Sequence, residues 1–336
     1  MSIILVTGAA GFIGSFLTEA LVAEGHHVIG VDNFFRGKKE NLKSLENNSA
    51  FELIEIDLSK LECVSRINEI LNSKKIDTVY HLAAINGTQY FYDHSVFVLD
   101  QNSMITKNVM EAIHNSFVKK IIYTSSSEIY GEPMIVPTPE THPVLLNATA
   151  DRDSYAASKA MGDFYVRLYA EKNKIDWLIL RVFNMYGPRM INTKYGQVIP
   201  EFIARMNSEE PFTLIGDGHH TRSFCFILDA VRLILHLEMQ NATGFINLGN
   251  PEEISILNLA KKIHEIAGKK FKPVFLPERA HDHHRRCPDI STLLFYVGNP
   301  NFTSLDIGLS ILNSTEALPE GCARVTDENN SARGAL

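Results

Sequence analysis

Cysteine is scarce in this sequence, with four residues among 336 and no two of them in a Cys-x-x-Cys pair. They are Cys63, Cys225, Cys287 and Cys322. A chain of this length buries enough surface to fold without covalent or metal cross-links. The scattered cysteines argue against a disulfide framework and a zinc site, and they favour a reducing compartment.

Long hydrophobic runs and an excess of positive charge are also missing. No stretch approaches the roughly 18 consecutive apolar residues that a membrane span requires, so we expect no membrane partner. The formal net charge of -7 argues against nucleic acid as a partner, because a nucleic-acid groove needs clustered cations. The opening MSIILV carries no basic leader, so we expect no signal peptide and a cytoplasmic protein.

The first half of the sequence contains a regular alternation of strand and helix patterns. Short apolar runs such as SIILVTG and HVIGVD alternate with amphipathic segments, which predicts an α/β fold with a doubly wound parallel sheet of the Rossmann type. After about Asn184 the chain is rich in turns, and we expect a smaller α+β substrate lobe. The predicted division is 1–183 with a returning segment at about 223–240, then 184–314, then a disordered tail at 315–336.

Three glycines, Gly8, Gly11 and Gly14, follow the first predicted strand at a spacing of three. Such a turn lets the chain leave the strand sharply, lets backbone approach a pyrophosphate, and lets the next helix pack closely on the sheet. Free N–H groups at the helix N-terminus then face the phosphates. A tight strand–helix corner without a ligand uses the same pattern, so the glycines alone leave both interpretations open.

Carboxylates end the second and third predicted strands, in positions that suit a dinucleotide. Asp32 lies where an acidic side chain is expected to meet the adenosine ribose hydroxyls. A carboxylate there repels a 2′-phosphate and favours NAD, while Arg36 leaves NADP as the alternative. Asp57 follows the third strand within reach of an adenine, although aspartates are also common turn residues.

A tyrosine and a lysine four residues apart, Tyr155 and Lys159 in YAASK, share one face of a predicted helix. A phenol is a poor base at neutral pH, and a nearby ammonium is expected to lower its pKa. The pair can therefore take a proton from a substrate hydroxyl, although such pairs also arise by chance. The serine-rich segment YTSSSEIYG at 123–131 ends the fifth predicted strand, at the edge where open α/β sheets bind ligands.

The motifs TGAAGFIG, HLAA, TSSSEIYG, YAASK and NMYGPR follow one another in a characteristic order. In these motifs the chain resembles the extended short-chain dehydrogenase/reductases, the NAD-dependent nucleotide-sugar epimerases, dehydratases and decarboxylases, over about residues 1–314. The resemblance implies oxidation of a nucleotide-diphosphate sugar, usually at C4, to a keto intermediate. It also implies that Tyr155 is the base, that Lys159 positions the cofactor, and that Ser126 bridges the substrate to the tyrosine.

The resemblance further implies the residues that hold cofactor and substrate. The implied NAD-binding residues are Gly8, Gly11, Phe12, Ile13, Gly14, Asp32, Asn33, Arg36, Asp57, Leu58, Leu82, Ala83, Ala84, Asn102, Thr124, Tyr155 and Lys159. The implied substrate-binding residues are Asn86, Ser127, Asn184, Arg189, Arg222 and Arg286, in which the guanidinium groups suit a pyrophosphate. For each arginine, an ordinary surface charge is the alternative.

Glu128 is the position that separates reactions within this family. By resemblance, epimerases carry a small or apolar residue there, 4,6-dehydratases an Asp-Glu pair, and UDP-glucuronate decarboxylases Ser-Glu. The pair Ser127-Glu128 favours a decarboxylase with Glu128 as a fourth catalytic residue; a solvated loop acid is the alternative. The loop at 83–95 lacks the Ser/Pro-rich segment associated with decarboxylases, so epimerase-like chemistry, a C4 dehydrogenase and a dehydratase of an unusual sugar stay open.

Other interpretations carry less support. A metal site in HDHH at 281–284 is not expected, because adjacent histidines in a polar loop lack the geometry of a closed site. A non-catalytic NAD sensor is disfavoured because Tyr155 and Lys159 are both present, and a small-alcohol dehydrogenase is disfavoured by the large second lobe. The family's habit predicts a homodimer through the Tyr155 helix, where Phe164, Tyr165 and Leu168 permit the contact.

Overall fold

A computed structural model describes residues 1–191, 196–278 and 282–314, so the predicted disordered tail lies outside the described residues. The strands are β1 (Ile3–Thr7), β2 (His27–Asp32), β3 (Phe51–Glu55), β4 (Thr78–His81), β5 (Lys120–Ser126), β6 (Asp176–Val182), β7 (Met185–Tyr186), β8 (Thr213–Ile215), β9 (Thr221–Ser223), β10 (Cys225–Phe226), β11 (Gly244–Leu248), β12 (Glu253–Ser255), β13 (Val274–Leu276) and β14 (Arg285–Arg286). The α-helices are α1 (Phe12–Ala23), α2 (Cys63–Ser73), α3 (Thr88–Asp93), α4 (Ser95–Ile113), α5 (Asp153–Asn173), α6 (Val198–Met206), α7 (Ile227–Met239), α8 (Ile256–Ile266), α9 (Ser291–Val297) and α10 (Leu305–Asn313). Short 3₁₀ helices lie at Lys39–Leu45 and Ser127–Tyr130.

A seven-stranded parallel sheet in the order β3-β2-β1-β4-β5-β6-β11 forms the centre of the molecule. Strands β1, β4 and β5 are buried along nearly their whole length because helices cover both faces of the sheet. Helices α1 and α7 pack on one face, and α2, α4 and α5 pack on the other. The strand order reverses between β1 and β4, so the carboxyl ends of these strands open a crevice where ligands bind in doubly wound sheets. The predicted Rossmann-type sheet is confirmed.

The returning segment is longer than the sequence suggested. Helix α7 falls inside the predicted 223–240, but the chain then adds β11 beside β6, with Gly244 paired to Leu178 and Leu248 to Val182. A helix that crosses over a parallel sheet leads to another parallel strand. The short run GFINL is that strand, and it lies beyond the predicted segment at about 223–240.

The elements after β6 form small sheets and helices around the same edge. Strand β8 pairs with β13, and β9 pairs with both β12 and β14. Helix α8 begins as predicted, with the Ser255 hydroxyl accepting from Asn258 N–H, and Gly268 follows it in the left-handed region at φ +64°. The division into two domains stays a prediction. None of the helices in the described ranges combines the length and the apolar character that crossing a bilayer requires.

Candidate active site

One cavity of about 560 Å³ lies along the carboxyl edge of the sheet, a size typical of ligand sites. Its lining includes every residue predicted above to bind cofactor or substrate except Asn102. It runs from the glycine turn, past Tyr155 and Lys159, to the arginines of the later elements. A single cavity therefore joins the predicted cofactor and sugar regions.

Asn102 lies apart from the other predicted cofactor residues, and its cofactor role stays a prediction. It is buried in α4, where its side-chain oxygen accepts from Ile85 N–H at 2.7 Å and its amide donates to the Ile85 carbonyl at 3.0 Å. The oxygen and the nitrogen of the side-chain amide both form hydrogen bonds with the backbone of Ile85. Asn102 thus fixes the loop that follows β4 instead of lining the cavity.

The glycine turn fits a pyrophosphate. A Cβ on Gly14 would lie 2.0 Å from the Gly8 carbonyl oxygen, so only glycine lets α1 start this close to β1. Gly8 adopts φ +71°, and a Cβ there would lie 2.8 Å from the Ala83 nitrogen. Helix α1 begins at Phe12 directly after Gly11 and presents its unpaired N–H groups at the cavity.

Asp32 lies at the end of β2 on the cavity wall. Its carboxylate accepts hydrogen bonds from Ala10 N–H at 3.0 Å and Phe34 N–H at 2.8 Å. Burial raises the pKa of the Asp32 carboxyl, and the backbone hydrogen bonds oppose that rise. The carboxylate is thereby held in one orientation beside the glycine turn. Asp57 is held similarly, since its Oδ1 accepts from Ser59 N–H at 3.0 Å.

Tyr155 and Lys159 lie one turn apart on α5, both buried against the cavity. The Lys159 ammonium donates to the Thr124 carbonyl at 2.7 Å, and burial lowers the pKa of Lys159 to about 7. Burial, with Glu128 adding to it, raises the pKa of the Tyr155 phenol, while a hydrogen bond with Ser126 lowers it. The expected lowering of the tyrosine pKa by lysine is therefore not what this structure shows, because the ammonium is directed at Thr124.

Phe91 covers the ring of Tyr155. The two rings stack with centroids 4.5 Å apart and planes 11° apart, and Ile85 and Val98 complete a small buried cluster around them. Phe91 is the buried residue of α3, in the segment 83–95 that follows β4. The stack keeps water off one face of the phenol and accounts for part of its burial.

Glu128 is enclosed by positive charge. Arg286 Nη1 and Nη2 donate to its two carboxylate oxygens, the Nη2–Oε2 distance being 3.0 Å, and Arg152 Nη2 lies 3.3 Å from Oε2. The two arginines lower the pKa of Glu128 more than burial raises it, and burial lowers the pKa of neighbouring His283 to about 2. Glu128 is therefore a fixed carboxylate within the cavity wall and not a solvated loop acid.

The remaining predicted arginines are also paired. Arg222 Nη2 donates to the His283 carbonyl at 2.7 Å and lies 3.4 Å from Asp282 Oδ1. Arg189 Nη2 lies 2.9 Å from both carboxylate oxygens of Glu19. Both guanidinium groups line the cavity. Their predicted contact with a diphosphate stays a prediction.

Arg152 and Asp282 are cavity residues that sequence reasoning missed. Arg152 Nη1 lies 3.6 Å from Asp282 Oδ1, so both belong to the charge network around Glu128. Arg152 lies three residues before Tyr155, a spacing that places two residues on the same side of a helix. This spacing could have indicated that Arg152 lies near the site. Asp282 gave no such signal, because its partners come from distant parts of the chain.

Comparisons with known proteins bear on this site. The family described as "NAD dependent epimerase/dehydratase family" matches residues 4–249. UDP-glucuronic acid decarboxylase 1 of Arabidopsis thaliana is 36% identical over 86% of this chain, which spans 63% of that protein. UDP-glucuronic acid decarboxylase 3 of the same plant is 33% identical over 92% of this chain and 87% of its own length.

A solved structure agrees with the fold. UDP-glucuronic acid 4-epimerase of Bacillus cereus, in complex with UDP-glucuronic acid and NAD, superimposes with a TM-score of 0.82. It is 32% identical, and the match covers 92% of this chain and 97% of that one. The predicted family, its NAD dependence and its enzyme class are thereby confirmed. The chain belongs to the NAD-dependent epimerase/dehydratase family, the extended short-chain dehydrogenase/reductases.

Proposed function

We propose that this protein oxidises C4 of a UDP-sugar carrying a C6 carboxylate and that carbon dioxide then leaves. The observation that carries the proposal is the Glu128 carboxylate, held by Arg152 and Arg286 beside Ser126 and Tyr155 in one cavity. The decarboxylases of Arabidopsis thaliana support the same reaction. The chain spans 63% of the length of the first of these relatives, so decarboxylation is a proposal for this chain.

The chain's own groups suit the first step. Tyr155 takes the proton of the C4 hydroxyl, Ser126 holds the same oxygen, and Lys159 supplies positive charge nearby. NAD, when bound along the glycine turn and Asp32, supplies the acceptor for the C4 hydride and later returns it. A C4 ketone is β to the C6 carboxylate, so the C5–C6 bond breaks, its electron pair forms an enolate across C4 and C5, and carbon dioxide leaves. C5 then takes up a proton, which restores the C4 ketone for reduction.

The charge network suits an acidic sugar. Three guanidinium groups, those of Arg152, Arg222 and Arg286, and two carboxylates, those of Glu128 and Asp282, line one region of the cavity. Arg286 is 3% exposed, so its charge acts where water screens it poorly. Such a wall favours an anionic group over a neutral one. Ser127 in place of an aspartate argues against 4,6-dehydration.

A 4-epimerase acting on the same substrate is the second candidate. It is favoured by the likeness to the UDP-glucuronic acid 4-epimerase of Bacillus cereus and by the loop at 83–95. In that reaction the C4 ketone keeps its carboxylate and is reduced from the opposite face. The two candidates share oxidation at C4, and their products differ in mass and in the configuration at C4.

Incubation with UDP-glucuronate and NAD tests both candidates. We expect transient NADH absorbance and a product lighter by one carbon dioxide, identified by mass spectrometry. A product of unchanged mass and inverted C4 supports the epimerase. Failure of any UDP-uronic acid to reduce NAD or to be converted contradicts the proposal and revives the non-catalytic NAD sensor. Turnover of a sugar without its nucleotide supports an ordinary dehydrogenase.

We also propose a homodimer through α5. Met161, Phe164 and Leu168 form one exposed apolar face of α5, with Phe164 58% exposed. Tyr165, which sequence analysis grouped with them, packs against the core. Sedimentation should show a dimer that Phe164→Glu converts to monomer, whereas the control Phe117→Glu leaves it intact; a monomeric parent protein rejects the idea.

A cytoplasmic location is part of the proposal. Cys63, Cys225 and Cys287 are buried free thiols, as a reducing compartment allows. Cell fractionation that recovers the protein outside the cytoplasm contradicts this location.

A further inference from the structure

We propose that His220, Glu278 and His284 form a binding site for a zinc-class divalent cation at the rim of the cavity. Their ligand atoms all lie within 4.8 Å of one another. Glu278 Oε1 lies 3.0 Å from His220 Nε2 and 3.7 Å from His284 Nε2. Tetrahedral ligands at about 2.0–2.1 Å from zinc are themselves about 3.4 Å apart, so small side-chain rotations bring the three atoms onto one ion.

The fold brings the two histidines together in register. His220 directly precedes β9 and His284 directly precedes β14, and these strands pair in parallel with Thr221 opposite Arg285. The Thr221 N–H donates to the His284 carbonyl at 2.9 Å, and the His220 carbonyl accepts from Ile256 N–H at 2.9 Å. The backbone on which both imidazoles stand is therefore fixed without a metal.

Glu278 comes from a second pair of strands. It lies two residues beyond β13, whose last residue, Leu276, accepts from Gly216 N–H at 2.9 Å. Glu278 thus lies two residues after a backbone hydrogen bond that fixes the end of β13. Three ligands from two independent strand pairs converge at one place, whereas His283 is turned toward Arg286 and Glu128.

A carboxylate behind His284 adds a separate observation. Glu132 Oε2 accepts from the His284 backbone N–H at 2.8 Å and lies 3.5 Å from its Nδ1. A carboxylate at Nδ1 favours the tautomer with hydrogen there and leaves the Nε2 lone pair facing Glu278. Metal-binding histidines are commonly oriented in this way.

The donor set selects the class of ion. Two imidazole nitrogens and one carboxylate oxygen suit Zn²⁺ and the late first-row ions, whereas Mg²⁺ and Ca²⁺ prefer oxygen ligands alone. Three protein ligands leave a further coordination position for water or an anionic ligand atom. His220 also lines the cavity, so the ion would add positive charge at its edge, near Arg222. The site does not depend on the proposed reaction.

Titration of the tag-free, chelator-treated full chain with Zn²⁺ against a chromophoric competitor tests the site, with Co²⁺ absorbance as a second signal. We expect one saturable site per chain, weakened at least about tenfold in His220→Ala, Glu278→Gln and His284→Ala. Glu132→Gln should weaken binding less than loss of a ligand.

The matched control is His26→Ala, because His26 Nε2 also lies near a carboxylate, 3.9 Å from Glu24 Oε2. It should leave Zn²⁺ affinity unchanged, and circular dichroism should show that all variants fold. No saturable binding, or binding that survives all three ligand substitutions, overturns the proposal and leaves His220 and Glu278 as an ion pair. Either result is independent of whether UDP-glucuronate is converted.

Discussion

Arg286 forms a bidentate ion pair with Glu128, which lies 158 residues away in the sequence. Its Nη1 donates to Oε1 of the carboxylate and its Nη2 donates to Oε2. The Arg286 side chain is 3% exposed and that of Glu128 is 18% exposed. The pair ties β14 to the 3₁₀ helix that follows β5. This contact favours the ionised form of Glu128 in the cavity wall.

Breaking the pair should be costly for stability. In Glu128→Gln, the Arg286 charge loses its carboxylate while still buried, and we expect a loss of about 3–5 kcal/mol in the free energy of unfolding. The control is Glu171→Gln, which removes an exposed partner 3.1 Å from Arg167 and should cost under about 0.5 kcal/mol. Denaturant unfolding measures both, and equal small losses would show that the buried pair is not stabilising.

The same contact predicts acid sensitivity. The pKa of Glu128 in the folded protein lies below its ordinary value of 4.5, so the stabilisation is fully present above about pH 4.5 and is lost as the pH falls toward the folded pKa. The free energy of unfolding should therefore fall less steeply below pH 4.5 in Glu128→Gln than in the parent. Identical slopes in the two proteins would contradict this assignment.

Phe91 should control the titration of Tyr155. Because burial raises the tyrosine pKa, replacing the stacked ring in Phe91→Leu should admit water and lower that pKa. On the acidic limb of the pH profile, kcat/KM rises with pH as the base loses its proton. This limb should move to lower pH, while maximal activity decreases. Phe117→Leu, at an exposed site, is the control. An unchanged pH profile in Phe91→Leu would mean that the stack is only structural.

Tyr155→Phe should abolish chemistry and spare the fold. Removal of a general base costs about 10²–10⁴-fold in rate, and the ring can keep its stack on Phe91. NADH absorbance after mixing with UDP-glucuronate should disappear, whereas NAD affinity measured by calorimetry should persist. Tyr165→Phe on the same helix should retain activity. Near-normal turnover in Tyr155→Phe would contradict the role of Tyr155 as the base.

Gly14→Ala should disrupt the cofactor turn. Its Cβ would meet the Gly8 carbonyl at 2.0 Å, so α1 must move away from β1. We expect loss of NAD binding together with a lower melting temperature. Gly25→Ala meets no atom within 4 Å but keeps φ at +86°, which costs about 1 kcal/mol without affecting NAD. Normal NAD affinity in Gly14→Ala would contradict the proposed role of the turn.

Local features of the sequence were sufficient to predict the central sheet and the glycine turn that leads from β1 into α1. Apolar runs, capping Ser255 and the spacing of Gly8, Gly11 and Gly14 act within a few residues, and their outcomes match. The pair Tyr155 and Lys159 was found for the same reason, since four residues on a helix define one face.

Long-range contacts were not predictable in this way. The sequence placed Asn102 among cofactor ligands, ended the returning segment before β11, and expected Lys159 to act directly on the Tyr155 phenol. In each case the structure shows a contact with a partner that lies elsewhere in the chain: the Ile85 backbone, strand β6 and the Thr124 carbonyl.

The sequence by itself determined that this chain forms a Rossmann-type sheet with a dinucleotide turn and a Tyr–Lys pair, because those patterns rest on local geometry. Only the tertiary structure decided the state of Glu128 and the stacking of Phe91 on Tyr155. The tertiary structure alone also brings the side chains of His220, Glu278 and His284 close together. A charge or a ring acquires its chemistry from what surrounds it, and here the surroundings come from residues far apart in sequence.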